Sequence, residues 1–387
     1  MAGKRRHSMS SKSIGELARS RSPEYVRSSR KRKGAILDEF VAATGVKRKT
    51  AIALLGDPPP VKARPRGRPR KRYGPDVAAA LEMLWATSGH ICSRRLVPGL
   101  PLFVQLAEAE GAWGFSKEVK EKLLRIGAST CERLLRPHKA AFRPAGRSLT
   151  KPGSMLKSQI PVRTWADWLE TEPGYCEIDL VHHCDNDTGG EYVHTLSLTD
   201  VLLGWTEMQA LRNRSERLVA TGVDSIRTRM PYPVKGLDSD GGGEFINAIL
   251  YRYCIDRTIL FTRGRPSKKN DQCRIEQKNF SVVRQNVGYD RYEGEEAVKA
   301  LNAFYRALRL QVNFLQPCMI LTGKERVGAK VIRRYGKART PCQRALEHPC
   351  VPEESKQALR EQLAAIRPIA LAKEILSLRE ELRRLAR

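Results

Sequence analysis

Cys176-Glu177-Ile178-Asp179-Leu180-Val181 is a short apolar run bounded by turn residues, and it reads as a β-strand. Asp179 stands inside it between Ile178 and Leu180, where an unpaired charge is costly unless it meets a partner or a metal. Working outward, Tyr192 to Thr199 and Thr206 to Leu211 read as two further strands. Turns at Asn186 to Gly190 and at Gly204 let the three form an antiparallel meander. Ser215 to Arg229 then reads as a helix, Val234 to Ser239 as a strand, Glu244 to Cys254 as a helix and Ile259 to Thr262 as a strand. The residues after Pro266 read as a helix that carries Glu276. This alternation is the mark of an α/β domain.

Three strands followed by helix, strand, helix, strand, helix is the order of a ribonuclease-H-like fold, a mixed five-stranded sheet with helices. Three carboxylates fall at informative places on it. Asp179 is in the first strand, Asp240 follows the fourth directly before Gly241-Gly242-Gly243, and Glu276 sits on the last helix, with 35 residues between it and Asp240. Asp238-Ser239-Asp240-Gly241-Gly242-Gly243-Glu244-Phe245 resembles the Asp-Asn-Gly-x-Glu-Phe signature of the DDE transposases and retroviral integrases, the enzymes with an integrase core. Lys269-Asn270-Asp271 followed by Glu276-Gln277-Lys278-Asn279 resembles their Glu-x-x-Asn helix, and the resemblance covers about residues 171–290. There are departures. Gly241 replaces the signature Asn, and Asp238 shares a strand face with Asp240 as a rival ligand. The amino-terminal zinc domain of retroviral integrases is missing, and His182, His183 and Cys184 are adjacent rather than zinc-spaced.

The resemblance implies metal-dependent cleavage and joining of DNA, with Asp179, Asp240 and Glu276 as catalytic residues and metal ligands. Phosphodiester transfer needs an activated oxygen nucleophile and a stabilised leaving oxygen, and two ions about 3.5–4 Å apart can serve both. Three carboxylates without His or thiolate suit Mg2+ or Mn2+, two ions being expected. Lys268, Lys269, Lys278 and Arg284 are expected to hold the DNA backbone.

Composition agrees on the partner. Seventy Lys and Arg against 42 acids give a net charge of +28, which attracts polyanions. Residues 1–75 contribute 21 basic and 5 acidic side chains, a net +16. Charge alone would also suit a ribosomal protein or a membrane-surface binder. Nine cysteines with no Cys-x-x-Cys spacing fit a reducing cytosol, and no stretch is apolar enough to span a bilayer. The expectation is a cytoplasmic protein, nucleoid-associated when DNA-bound, with double-stranded DNA (element ends and target) as partner, no membrane, and self-association as a homo-oligomer on DNA.

The rest of the chain divides into shorter segments. Residues 1–34 are expected to be a disordered basic arm. Residues 35–56 read as a first helix-turn-helix, with Lys47, Arg48, Lys49 and Thr50 opening a recognition helix, or equally as an ordinary helical hairpin with a solvated basic edge. Residues 57–75 form a basic Pro-rich linker in which Arg66-Gly67-Arg68 resembles an AT-hook for the A·T minor groove. Residues 76–136 are helical, with a second helix-turn-helix whose Ser129 to Leu135 segment presents Thr130 and Arg133. A linker at 137–165 leads to the core at 166–315, a small basic module at 316–352 and a C-terminal helix at 353–387. In that helix Leu371, Ile375, Leu378, Leu382 and Leu385 make a heptad seam, suited equally to a coiled coil or to packing on its own chain. The whole reads as a multidomain DNA transposase. The alternatives are a non-enzymatic DNA-binding regulator and a nuclease of the same fold that cuts without joining.

Overall fold

Two serines start the first helices: Ser10 Oγ accepts the Ser13 N–H and Ser29 Oγ the Arg32 N–H, each satisfying a donor that the helix itself cannot. The computed structural model describes residues 9–60, 73–139, 171–240, 242–264, 272–327 and 330–387. Its first unit, within Met1–Arg72, contains α1 (Ser11–Arg27), α2 (Arg30–Thr44) and α3 (Arg48–Gly56). Gly45, at φ 72°, turns the chain between α2 and α3 in a left-handed conformation that costs glycine little. Ala18, Ile36, Leu37, Phe40, Ala51 and Leu55 form the core. The expected mobile arm over 1–34 is corrected here. Ile14, Leu17, Ala18 and Tyr25 are sparse among charges but lie at helical spacing, and they pack on that core. Residues 1–8 and the hook at 61–72 lie outside the described residues.

The second unit runs from Tyr73 to Arg387. It opens with α4 (Pro75–Thr87), α5 (Ser93–Ala109), α6 (Lys117–Leu124) and α7 (Ala128–Lys139). The sheet follows: β1 (Tyr175–His182), β2 (His194–Asp200), β3 (Thr206–Leu211), β4 (Gly236–Ser239) and β5 (Leu260–Arg263). Its order is β3-β2-β1-β4-β5, with β1, β2 and β3 antiparallel and β4 and β5 parallel to β1, the ribonuclease-H-like arrangement. A parallel partner needs a crossover, and α8 (Glu216–Arg227) and α9 (Ala248–Asp256) provide those into β4 and β5. Gly222 lets α8 approach the sheet: a Cβ there would meet the side chains of Leu196 and Leu211 at 3.0 Å.

α10 (Cys273–Lys278) continues through a π-helical turn (Asn279–Arg284) into α11 (Gln285–Val287), and α12 (Gly294–Leu310) packs across β3. The helices before the sheet are part of the same body. The carbonyls of Thr87 and Ser88 accept the side-chain amides of Gln311 (2.8 Å) and Gln316 (2.9 Å), and Arg95 donates to Pro317 O. Residues 140–165 of the expected linker lie outside the described residues, and α7 already occupies its first three. Residues 316–352 contain an antiparallel hairpin of β6 (Leu321–Val327) and β7 (Lys330–Tyr335), then α13 (Pro341–Glu347). The expected single C-terminal helix is two, α14 (Glu353–Ala365) and α15 (Pro368–Leu385), because Pro368 cannot continue a preceding helix but readily starts one. Leu371, Ile375 and Leu382 are buried, and α15 packs on α12, α4 and α5. The heptad seam is therefore used within the chain.

Candidate active site

Alternation along β1 puts Glu177 and Asp179 on one face of the sheet. In the parallel pairing with β4, Ile178 stands opposite Ser239. The next residues, Asp179 within β1 and Asp240 just past the end of β4, therefore come side by side on strands about 4.8 Å apart. Asp240 Oδ1 accepts the Gly242 N–H at 2.9 Å.

The helix bearing Glu276 is fastened to β1 twice. At its start, the fully buried Glu177 accepts the backbone N–H groups of Arg274 (3.1 Å) and Ile275 (2.8 Å), with the Arg274 guanidinium at 3.7 Å. These N–H groups belong to the first turn, where intrahelical acceptors are lacking. One turn beyond Glu276, the Asn279 side-chain amide donates to Asp179 Oδ2 at 2.7 Å and accepts from Ser197, the residue paired with Asp179 on β2. Leu180 N–H donates to Asp179 Oδ1 at 2.8 Å. Residues three apart share a helix face, so the contact of Asn279 with Asp179 turns Glu276 toward the same place. The π-helical turn starting at Asn279 is a feature often found where a helix serves a site.

Asp179, half-buried at the meeting point, has its carboxyl pushed up to about 8, first by burial and then by the negative charge of Asp240, with Glu276 and Glu244 adding. Carboxylates that raise one another are relieved by a cation, and an all-oxygen donor set suits magnesium or manganese. Among the described residues no three acidic, His or Cys side chains already stand at metal-binding spacing. The fit is thus one of donor type and charge.

The other predicted residues fall in different places. Asp238, the rival to Asp240, is 1% exposed and accepts from the Thr262 hydroxyl (2.6 Å) and the Gln272 amide (3.2 Å), a supporting role under the site. Lys278 and Arg284, expected to hold the DNA backbone, are both half-buried. Lys278 is two residues from Glu276 and so on the other side of α10, half-buried beside Cys318, Arg95 and Arg344. Arg284 donates to the carbonyls of His182 (2.8 Å) and Gly288 (3.3 Å) and lies over the Tyr289 ring. Lys268, Lys269, Arg66 and Arg68 lie outside the described residues. Lys47, Arg48, Lys49 and Thr50 are exposed at the start of α3, where Arg48 pairs with Asp38. Thr130 and Arg133 lie on α7, half-buried and exposed respectively.

Glu177 and Ser197 were not singled out from the sequence. The available signal was an acid two residues before Asp179, hence on its face, inside a run whose other members are apolar.

The adjacent histidines are structural. His183 Nε2 shares a hydrogen bond with Thr195 Oγ1 (2.7 Å), which in turn meets the Tyr305 hydroxyl (2.6 Å). His194 stacks on Tyr192 with its ring edge-on to His182, and neither of its nitrogens makes a hydrogen bond in this buried place. Burial, then the neighbouring His182 and Arg214, lower His194 from 6.5 to about 3. A base depressed in this way contributes stability that is intact above its ordinary value of 6.5 and is lost as pH falls toward 3. His194→Phe keeps the stack and removes the proton acceptor. Its acid-unfolding midpoint, followed by circular dichroism, should lie at lower pH than that of the wild type, and an unchanged midpoint would assign the acid limb to other groups.

The chain is 39% identical over 335 residues to the uncharacterized protein y4rM of Sinorhizobium fredii (strain NBRC 101917 / NGR234), covering 86% of this chain and 94% of the relative. No protein-family model matches it. Among solved structures, the catalytic core domain of BIV integrase aligns with a TM-score of 0.31 at 18% identity, over 45% of this chain and 94% of that one. The catalytic core domain of HTLV-2 integrase in complex with magnesium aligns at 0.29 and 10%, over 38% and 90%. At these scores the strand order of the sheet itself remains what defines the core. No helix among the described residues is long and apolar enough to cross a membrane.

Proposed function

The chain belongs to the family of the Sinorhizobium fredii protein y4rM, and we propose that it is a DNA transposase, a DDE-type polynucleotidyl transferase. The observation that carries this reading is the register of β1 and β4, which sets Asp179 beside Asp240 while Asn279 fastens the helix of Glu276 to the same carboxylate. Asp179, Asp240 and Glu276 would hold the divalent cations. When bound, such cations polarise the phosphodiester and stabilise its attacking and leaving oxygens.

The chain's own residues supply the rest. Asn279 fixes the rotamer of Asp179 by holding one oxygen, while the Leu180 N–H holds the other. Glu177 neutralises the open N–H groups of α10, so that Glu276 is presented from a helix that cannot fray at its start. The reaction in this reading is cleavage by water, which breaks the bond from phosphorus to a 3′ oxygen and frees a 3′-hydroxyl at the element's end. That hydroxyl then attacks a target phosphodiester, so one bond forms as another breaks. Full-length protein incubated with DNA carrying the inverted repeats that flank its gene should nick and join in the presence of Mg2+ and do neither after chelation. Nicking without any joined product would favour a nuclease of the same fold.

DNA recognition in this proposal resides in the helix pairs. α2 and α3 are separated by three residues, as are α6 and α7, and the first turn of the second helix carries Arg48, Lys49 and Thr50 in one pair and Ser129 and Thr130 in the other. Arg48→Ala or Thr130→Ala should relax sequence preference at a few base pairs, by about 1–3 kcal/mol for each well-formed hydrogen-bonded pairing with a base edge that the change removes. Footprints on the element's end check this, and unchanged footprints in both variants would place recognition elsewhere.

A further inference from the structure

One aromatic side chain beside the acidic site has no role in the core. Phe280 is 51% exposed, and among the described residues it has no aromatic or cationic partner, whereas Trp205, Tyr292 and Tyr305 are buried with ring neighbours. Its position follows from the helix. Asn279 and Phe280 open the π-helical turn that continues α10, so Phe280, four residues on, still falls on the Glu276 side of the axis, and Asn279, three residues on, lies to the other side. Asn279 is fixed because it donates to Asp179. Glu276 therefore stands between an inward Asn279 and an outward Phe280, and the ring flanks the mouth of the carboxylate cluster.

A ring there cannot hold a phosphate, and the carboxylates around Asp179 repel one. It can hold a nucleobase, since every base offers a π-face and base–aromatic stacking is tolerant of sequence. The chain's +28 charge makes nucleic acid the partner expected to reach this place. We propose that Phe280 is the platform on which the base next to the reacting phosphodiester stacks once it is unpaired from its complement. The inference rests on the reading of the acidic site as a DNA-joining site and names the form of DNA that site takes, a strand end with an open base. The stack returns part of the unpairing energy, so an opened terminus is preferred over a closed one.

The test is binding competition by the full chain, with Ca2+ in place of Mg2+ so that the carboxylates are neutralised and over a time in which no cleavage product forms, between a blunt duplex and one of the same sequence with an unpaired 3′ end. The wild type should prefer the open end by roughly ten-fold, the worth of one stacked base. Phe280→Ala should lose that preference while its affinity for the blunt duplex stays the same, and Phe280→Trp should keep it. The side chain is exposed, so neither change threatens folding. A preference intact in Phe280→Ala, or none in the wild type, overturns the proposal. So does dissociation of an oligomer by Phe280→Ala in light scattering, which would assign the ring to a contact between copies. Failure of the underlying reading looks different: wild-type protein would then show no Mg2+-dependent nicking, whatever its end preference.

Discussion

Asp179→Asn, Asp240→Asn and Glu276→Gln should each reduce Mg2+-dependent nicking and joining to background while duplex binding stays nearly unchanged. Each change removes a formal charge from a cluster that would hold divalent cations and leaves volume and most hydrogen bonds in place. The charge-rich segments proposed to grip DNA lie elsewhere in the chain. Asn279→Ala gives a graded result. It releases one oxygen of Asp179 and the hydroxyl of Ser197 without removing a ligand, so activity should fall by about 10–100-fold, the usual cost of losing a group that orients a ligand. Asp238→Asn is the control. Its carboxylate is buried under Thr262 and Gln272, so the variant should lose about 1–3 kcal/mol of stability and keep its activity in the folded fraction. Denaturant unfolding and a nicking assay on each variant separate these outcomes. Wild-type rates in any of the three acid variants would remove that residue from the site, and an inactive but stable Asp238→Asn would exchange the roles of Asp238 and Asp240.

The core was legible because its strands set apolar residues at alternating or adjacent positions between turn residues. β3 spans Thr206–Leu211, as the run itself does, and β1 extends its run by one residue at each end. Boundaries moved where a side chain outside the periodic pattern decides. The helix expected from Glu244 starts at Ala248, since Asn247 Oδ1 accepts the Leu250 N–H and makes Asn247 the cap. The acids could be found by spacing, but their support could not. Glu177 and Ser197 act across strand and helix pairings that sequence distance conceals, the first through a helix start about a hundred residues away. Lys278 shows that basic character does not say which of the two faces of α10 a residue occupies. Composition misled at the amino terminus, where four apolar residues at the right spacing outweigh the charges around them in deciding for helix.

Removal of residues 1–72 should produce the largest change in DNA affinity. The cut falls between the two compact units, so Tyr73–Arg387 keeps its own core and its acidic site. What is lost is charge: residues 1–75 carry a net +16 of the chain's +28. Each phosphate neutralised by such a side chain releases a condensed counterion, and the slope of log K against log salt becomes shallower by about 0.9 for every phosphate no longer neutralised. If six to ten phosphates are held by this segment, its binding should weaken by about 10³–10⁵ between 50 and 200 mM salt. The truncated chain should show little of that fall. At low salt the full-length protein should bind far more tightly, and near the upper end the two should converge. Exposed pairs such as Arg32 with Glu24 and Arg48 with Asp38 already occupy some of the cations within the first unit, so the phosphates held will be fewer than the charge count. Metal-dependent nicking of generic DNA should survive the truncation, with preference for the element's ends reduced. Filter binding or fluorescence anisotropy across a salt series decides the matter. An unchanged slope would place the charge of the first 72 residues off the DNA and move the grip to the helices and hairpin of the second unit.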